Sequence, residues 1–318
     1  MRNQAARYLL AGLLFCGLGT DAFAESSGEA ISWLQKMTRA VRDENYEGIF
    51  SYIRGSTFDT VRIVHRMDNG VETERLINLN GDVRELFRQG NEIRCYHPDG
   101  EAHSDELLSD HRVQIGPFTT AFTEKVLSTQ NLYRLTMHST DRIAGRSAVV
   151  LSVSPRFNDR YGYRLWLDEE TGLLLQSHLI DNGRVKEIFQ FTSLDIGHPI
   201  TDAGLASSIQ GETVSHPLML ETNEMSGKPV WRVAWLPDGF QPVRVTGNRL
   251  HFSDGLATFS VFVEAPGSAP LPDLTTTVGG TVVLTRRLKK SGPQITVVGE
   301  VPVQTARRVA ESVEPVLY

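Results

Sequence analysis

The chain opens its folded part on a helical repeat. Ile31, Leu34, Met37 and Val41 recur at intervals of three and four, and Ser26 with Glu29 has the spacing of a capping box, so Ser26 to Asp43 is predicted to be an amphipathic helix. From Tyr46 to about Leu194 the repeat changes to two. The alternating runs Tyr46-Arg54, Thr60-Met67, Glu72-Leu79, Arg84-Arg88, Glu92-His97, Leu132-Thr140, Ser147-Val153, Tyr161-Leu167, Leu173-Leu179 and Val185-Thr192 are predicted strands. Turn dipeptides punctuate them, Asn69-Gly70, Asn80-Gly81 and Asn182-Gly183 being the strongest because tight hairpins need positive φ at both central residues. So long a run of hairpins implies an antiparallel sheet that curls, with the first helix filling its concave side. Phe118, Phe122 and Val126, at helical spacing after Pro117, suggest a short helix or lid between strands.

Periodicity weakens near residue 197, where Gly, Pro, Ser, Thr and Asn accumulate. Residues 197–230 are therefore read as a connection between a large β domain, 25–196, and a smaller C-terminal α+β domain, 231–318. The small domain is assigned strands Trp231-Trp235, Val243-Leu250, Ala257-Glu264, Thr281-Lys289 and Ile295-Gly299, with a loop at Ala265-Gly280. A closing helix is marked by Pro302, by Ala306, Val309, Ala310 and Val313 on one face, and by Pro315 beyond its end. The predicted class is α+β, mostly antiparallel β.

The first 24 residues change the cellular picture. Arg2 and Arg7 precede an uncharged apolar run, Tyr8 to Leu18, which ends before Ala22-Phe23-Ala24; this is the pattern of a secretory signal peptide, 1–24. The run is about half the length of a membrane-spanning helix. A lipoprotein reading through Cys16 is disfavoured by the bulky Phe15 before it. The 318-residue chain has a net charge of −6, and cleavage after Ala24 makes it one unit more acidic, which argues against nucleic acid as partner. Cleavage would also leave Cys95 without an intramolecular disulfide partner, so stability must come from cores.

Candidate chemistry points to binding. No phosphate loop, dinucleotide fingerprint, zinc-protease motif, serine-hydrolase elbow or Cys-x-x-Cys is present, so no catalytic residue, cofactor or metal is assigned. Cys95, His97, His103 and His111 lie among carboxylates but match no compact metal spacing, and a polar loop is the preferred reading. Aromatic residues of the sheet region, Phe50, Tyr52, Phe118, Phe122 and Trp166, are candidate contacts for a lipid chain, which gains about 0.8 kcal/mol per buried methylene. For each of them, packing the first helix is the plainer explanation. Arg286, Arg287, Lys289, Lys290, Arg307 and Arg308 form a basic cluster that could steer an acidic partner, although a solvated strand end and helix face explain it too.

Several blocks taken together resemble a known family: Asn80-Gly81-Asp82-Val83-Arg84-Glu85 with Gly90-Asn91-Glu92-Ile93, Arg142-Ile143-Ala144-Gly145-Arg146, and Arg160-Tyr161-Gly162-Tyr163 with Trp166-Leu167-Asp168. They continue in order through Trp235-Leu236-Pro237-Asp238-Gly239-Phe240, Ser253-Asp254-Gly255-Leu256, Phe259-Ser260-Val261 and Val298-Gly299-Glu300-Val301-Pro302 with Thr305-Ala306. The chain resembles the RseB/MucB family of periplasmic regulators over nearly all of its length after residue 24. The resemblance implies a large domain shaped like the lipoprotein carriers LolA and LolB, a half-open β-barrel around helices. It also implies a periplasmic partner, the anti-sigma factor of RseA or MucA type, shielded from the site-1 protease until lipopolysaccharide-type lipid relieves the restraint. The protein would then be peripheral to the inner membrane through that partner. The rival binding reading is a periplasmic lipid or lipoprotein carrier, which leaves the second domain unexplained. Oligomeric state is not fixed by the sequence, a homo-oligomer included.

Overall fold

A computed structural model describes residues 21–81, 85–90, 92–98, 131–207, 211–217, 230–265, 272–288 and 292–316, with side chains throughout except at 21–27, 97–98 and 211–217. The first helix, α1, runs Asp21–Asp43, starting more than a turn before the expected capping box. Its buried stripe is Ala30, Leu34, Met37, Ala40 and Val41. The two alanines complete it where Ile31 was expected, and they let the helix approach the sheet closely.

The first eleven strands are β1 Tyr46–Arg54, β2 Thr57–Asp68, β3 Val71–Asn78, β4 Glu85–Gln89, β5 Glu92–Pro98, β6 Tyr133–Met137, β7 Asp141–Ile143, β8 Arg146–Pro155, β9 Gly162–Asp168, β10 Leu174–Asp181 and β11 Arg184–Ile196. A helical turn, α2 Asp202–Leu205, and β12 Gly211–Pro217 follow. These strands form one antiparallel sheet in the order β12-β5-β4-β3-β2-β1-β11-β10-β9-β8-β6, with β7 paired to β8. The hairpin turns are as expected where they are tightest: Asn69 and Gly70 have φ of 49° and 79°, Asn182 and Gly183 of 47° and 81°.

The sheet is bent around α1. Helix α1 packs on both β2 and β6, which lie six strand spacings apart, about 29 Å if the sheet were flat. A helix about 10 Å wide touches both only if the sheet curls. One core unites the helix stripe with Phe50, Val61, Ile63, Leu76, Tyr133, Leu151, Leu165, Phe189 and Phe191 from across the sheet. Among the described residues nothing pairs β12 with β6, so the barrel is half-open.

The remaining strands are β13 Trp231–Val233, β14 Gln241–Thr246, β15 Arg249–Ser253, β16 Thr258–Glu264, β17 Leu274–Val278, β18 Thr281–Arg287, β19 Gln294–Gly299 and β20 Val313–Pro315, with α3 Val303–Glu311 before the last. Six of them form a second antiparallel sheet, β14-β15-β16-β19-β18-β17, and β13 pairs with β20. Helix α3 buries Ala306, Val309 and Ala310 against β18 and β19. Among the described residues no helix is long and apolar enough to cross a membrane.

Three expectations need correction. The stretch 197–230 is more than a connection, because β12 within it adds to the large sheet beside β5, with Val214 opposite Cys95. Val243-Leu250 is two strands, β14 and β15, turned at Gly247-Asn248, a dipeptide that belongs with the other turn signals. The loop Ala265-Gly280 contains β17, whose residues are all exposed; an edge strand that buries neither face carries no alternation to read. Residues 1–20 of the expected signal peptide and the helix expected after Pro117 lie outside the described residues, while residues 21–24 of that expected leader open α1.

Charged groups also sit on the inner face, at the end of the hollow next to the C-terminus of α1. His65 is buried, stacked on Tyr46 at 4.6 Å, and shares Glu72 with Arg88, which also pairs with Glu74. Burial opposes the Glu72 charge, but hydrogen bonds from Arg88 and His65 outweigh it and hold the carboxyl down to about 2 from its ordinary 4.5. The stability this supplies is present above pH 4.5 and lost as pH falls from there towards about 2. Glu72→Gln is expected to flatten that part of the acid-unfolding curve; an unchanged slope below pH 4.5 would remove Glu72 from the account.

Candidate functional site

Alternation decides which aromatic residues share the hollow. Phe50 and Tyr52 face inward from β1; Phe50 packs on Phe189 at 4.9 Å and on Phe191 at 5.9 Å. Trp166 does not join them. Its neighbours Leu165 and Leu167 enter the inner core, so Trp166 points to the outer face, where it packs with Ile143, Val150 and Leu175 and donates its indole N–H to Asp141 at 2.9 Å. It is withdrawn from the lipid candidates. Phe118 and Phe122 lie outside the described residues.

The basic cluster is divided. Arg286 on β18 is tied to Glu311 on α3 at 2.6 Å, which ties the helix to the sheet. Arg307 is an exposed residue of α3, and Arg287 ends β18 half-buried. Arg308 covers the ring of Trp235 at 3.9 Å, a cation–π contact. Lys289 and Lys290 lie outside the described residues. Arg308, Trp235 and Leu236 line one side of a cleft of about 400 Å³, and Phe157, Asn158 and Asp159 of the large domain line the other. Phe157 is exposed there, so the cleft offers apolar surface beside a cation.

The deepest feature is the seam beneath that cleft. Arg160, just before β9, has a fully buried side chain. Its guanidinium donates to Asp159 at 2.8 Å, to the equally buried Asp254 at 2.8 Å and to the carbonyl of Asp238. Burial pushes the Asp254 carboxyl up, while the backbone N–H groups of Ala257 and Leu256 pull it down. Tyr161 donates its hydroxyl to the Val301 carbonyl at 2.9 Å, and Thr305 donates to the Asp159 carbonyl at 2.9 Å. Leu256 reaches across into the core of the large domain.

The motif blocks explain themselves here. Arg160-Tyr161, Asp238, Asp254-Leu256, Val301 and Thr305 lie far apart in sequence and meet in one interface. Sequence reasoning did not assign Arg160 or Asp254 a role; the available signal is that each is followed by a glycine beside a large apolar or aromatic residue, Tyr161-Gly162 and Gly255-Leu256. Cys95 is buried on β5, and burial pushes its thiol up, disfavouring the thiolate. His103, His111 and the side chain of His97 lie outside the described residues. Among those described, no group of three or more histidine, cysteine or acidic side chains comes together to hold a metal.

Residues 29–209 match the MucB/RseB N-terminal domain, and residues 225–314 match the MucB/RseB C-terminal domain. The chain belongs to the MucB/RseB family. Among MucB/RseB proteins, the sigma factor AlgU regulatory protein MucB of Pseudomonas aeruginosa is 35% identical over 317 residues, 95% of this chain and 96% of the relative. The sigma-E factor regulatory protein RseB of Haemophilus influenzae is 31% identical over 291 residues, 88% of this chain and 90% of the relative. The complex structure of Pseudomonas aeruginosa MucA/MucB contains a chain similar at a TM-score of 0.73 and 35% identity, covering 91% of this chain and 100% of that one. A crystal structure of MucB gives a TM-score of 0.62 at 34% identity, covering 91% and 99%.

Proposed function

We propose that this protein is a periplasmic negative regulator of an envelope-stress sigma factor. It binds the periplasmic segment of a transmembrane anti-sigma factor of RseA or MucA type, shields that segment from site-1 cleavage, and releases it when a lipopolysaccharide-type lipid binds. The observation that carries this reading is the likeness, along both domains, to the MucB of a MucA/MucB complex. A lipid or lipoprotein carrier is the rival reading, and the match of residues 225–314 to a regulator's C-terminal domain favours the regulator.

Restraint of this kind needs binding without turnover. The complex must be favourable, and the releasing ligand must prefer the unbound form, or it shifts nothing. The cleft with Phe157, Trp235 and Arg308 is the proposed partner surface, with Arg287, Arg307, Lys289 and Lys290 as further proposed contacts and Arg286, paired with Glu311, set aside. The inner face near Phe50 and Tyr52 is the proposed lipid side, with Phe118 and Phe122 expected there.

Titration calorimetry with the periplasmic segment of the anti-sigma factor from the same organism tests the reading. Binding is expected, Arg308→Ala is expected to weaken it roughly tenfold, or about 1.4 kcal/mol, and lipopolysaccharide is expected to compete. Absence of binding by the intact protein would refute the regulator.

A further inference from the structure

Two turns of the small domain close the end of the hollow opposite His65. The β17–β18 turn places Gly280 so that its N–H donates to Glu187 Oε1 at 2.7 Å, while Glu187 Oε2 accepts from the hydroxyl of inward-facing Tyr52. Gly279 has φ of 58°, and a side-chain carbon there would collide with Glu187 and Arg54; one on Gly280 would collide with Leu179. Only bare backbone seats this closely. The turn after β19 brings Glu300 to the same place. The groups facing Glu300 are Glu187 on β11, Arg54 and Tyr52 on β1, and Tyr161 and Tyr163 at the start of β9. Arg54 Nε is buried there with no hydrogen-bond partner among the described residues, so that donor does not answer the two carboxylates.

We propose that the small domain is a proton-dependent stopper on the hollow: it seats on Tyr52, Arg54 and Glu187 when Glu300 carries a proton, and loosens when Glu300 and Glu187 are both charged. The buried Arg160–Asp254 pair and the Tyr161–Val301 hydrogen bond keep the domains joined, so loosening frees the β17–β18 turn without parting them. This inference stands on the seam and holds whether or not the partner proposal does.

Burial and the facing Glu187 push the Glu300 carboxyl up from 4.5 to about 7, against the pull of Arg54. For a group raised in the seated state, seating is strongest below pH 4.5 and is lost as pH rises towards about 7. Those two values imply a seating constant roughly 70-fold smaller at pH 8 than at pH 5.

The test is a distance between spin labels at Ser56 and Thr276, both exposed, in the full chain carrying Cys16→Ser and Cys95→Ser. The wild-type background is expected to gain a longer distance as pH rises from 5 to 8, and Glu300→Gln to keep the short one throughout. Glu187→Gln, which removes the facing charge but keeps an acceptor for Gly280, is expected to shrink the pH response. Gly280→Val is expected to give the long distance at every pH. A wild-type distance that does not change with pH overturns the proposal, as does a full-size response in Glu300→Gln or in Glu187→Gln.

Discussion

Arg160→Ala is expected to lower the stability of the chain by about 3–5 kcal/mol, because it strands Asp254 as an uncompensated charge in a buried site. The Asp254 loop should keep its shape, since Leu256 N–H and Ala257 N–H still donate to its other oxygen. The loss therefore falls on the seam, where the Asp238 carbonyl and Asp159 also lose their donor. Urea unfolding followed by tryptophan fluorescence should show a lower midpoint and a transition split into two, one for each core. Arg160→Lys should recover little, because one ammonium cannot reach three acceptors set around a planar fork. A shift below about 1 kcal/mol would mean that the seam does not depend on this pair.

Leu34→Ala on α1 should cost about 2–5 kcal/mol. Leu34 is fully buried at the centre of the helix stripe, among residues of strands from both sides of the sheet, and those strands cannot collapse onto the smaller side chain without bending the sheet further. Its neighbour Gln35 is exposed, and Gln35→Ala should stay within about 0.5 kcal/mol. Equal small effects at both positions would show that α1 is not the filling of the hollow.

Local signals carried most of the fold. The register of β1 follows from Tyr46, Phe50 and Tyr52 on one side, and the Asn69-Gly70 and Asn182-Gly183 turns fix their hairpins because asparagine and glycine take the required positive φ at little cost, whereas Ala144-Gly145 makes the β7–β8 turn without that signal. What escaped was long-range or unpatterned. Strand β12 is polar and returns to β5 across more than a hundred residues, so nothing nearby announces it. At Trp166 parity outranks aromatic content: Leu165 and Leu167 claim the inner face, so the indole lies on the outer one. The seam escaped for a different reason. Arg160 and Asp254 are 94 positions apart, and charge alone suggests solvent unless a partner is known. Family resemblance singled out their motif blocks, and the structure supplied the reason those blocks matter together.

The most direct measurement is the rate at which the site-1 protease cuts the membrane-embedded anti-sigma factor of the same organism, with and without an equimolar amount of this protein. Strong slowing is expected, reversed by lipopolysaccharide. An unchanged rate, with the protein folded and present, would contradict the account.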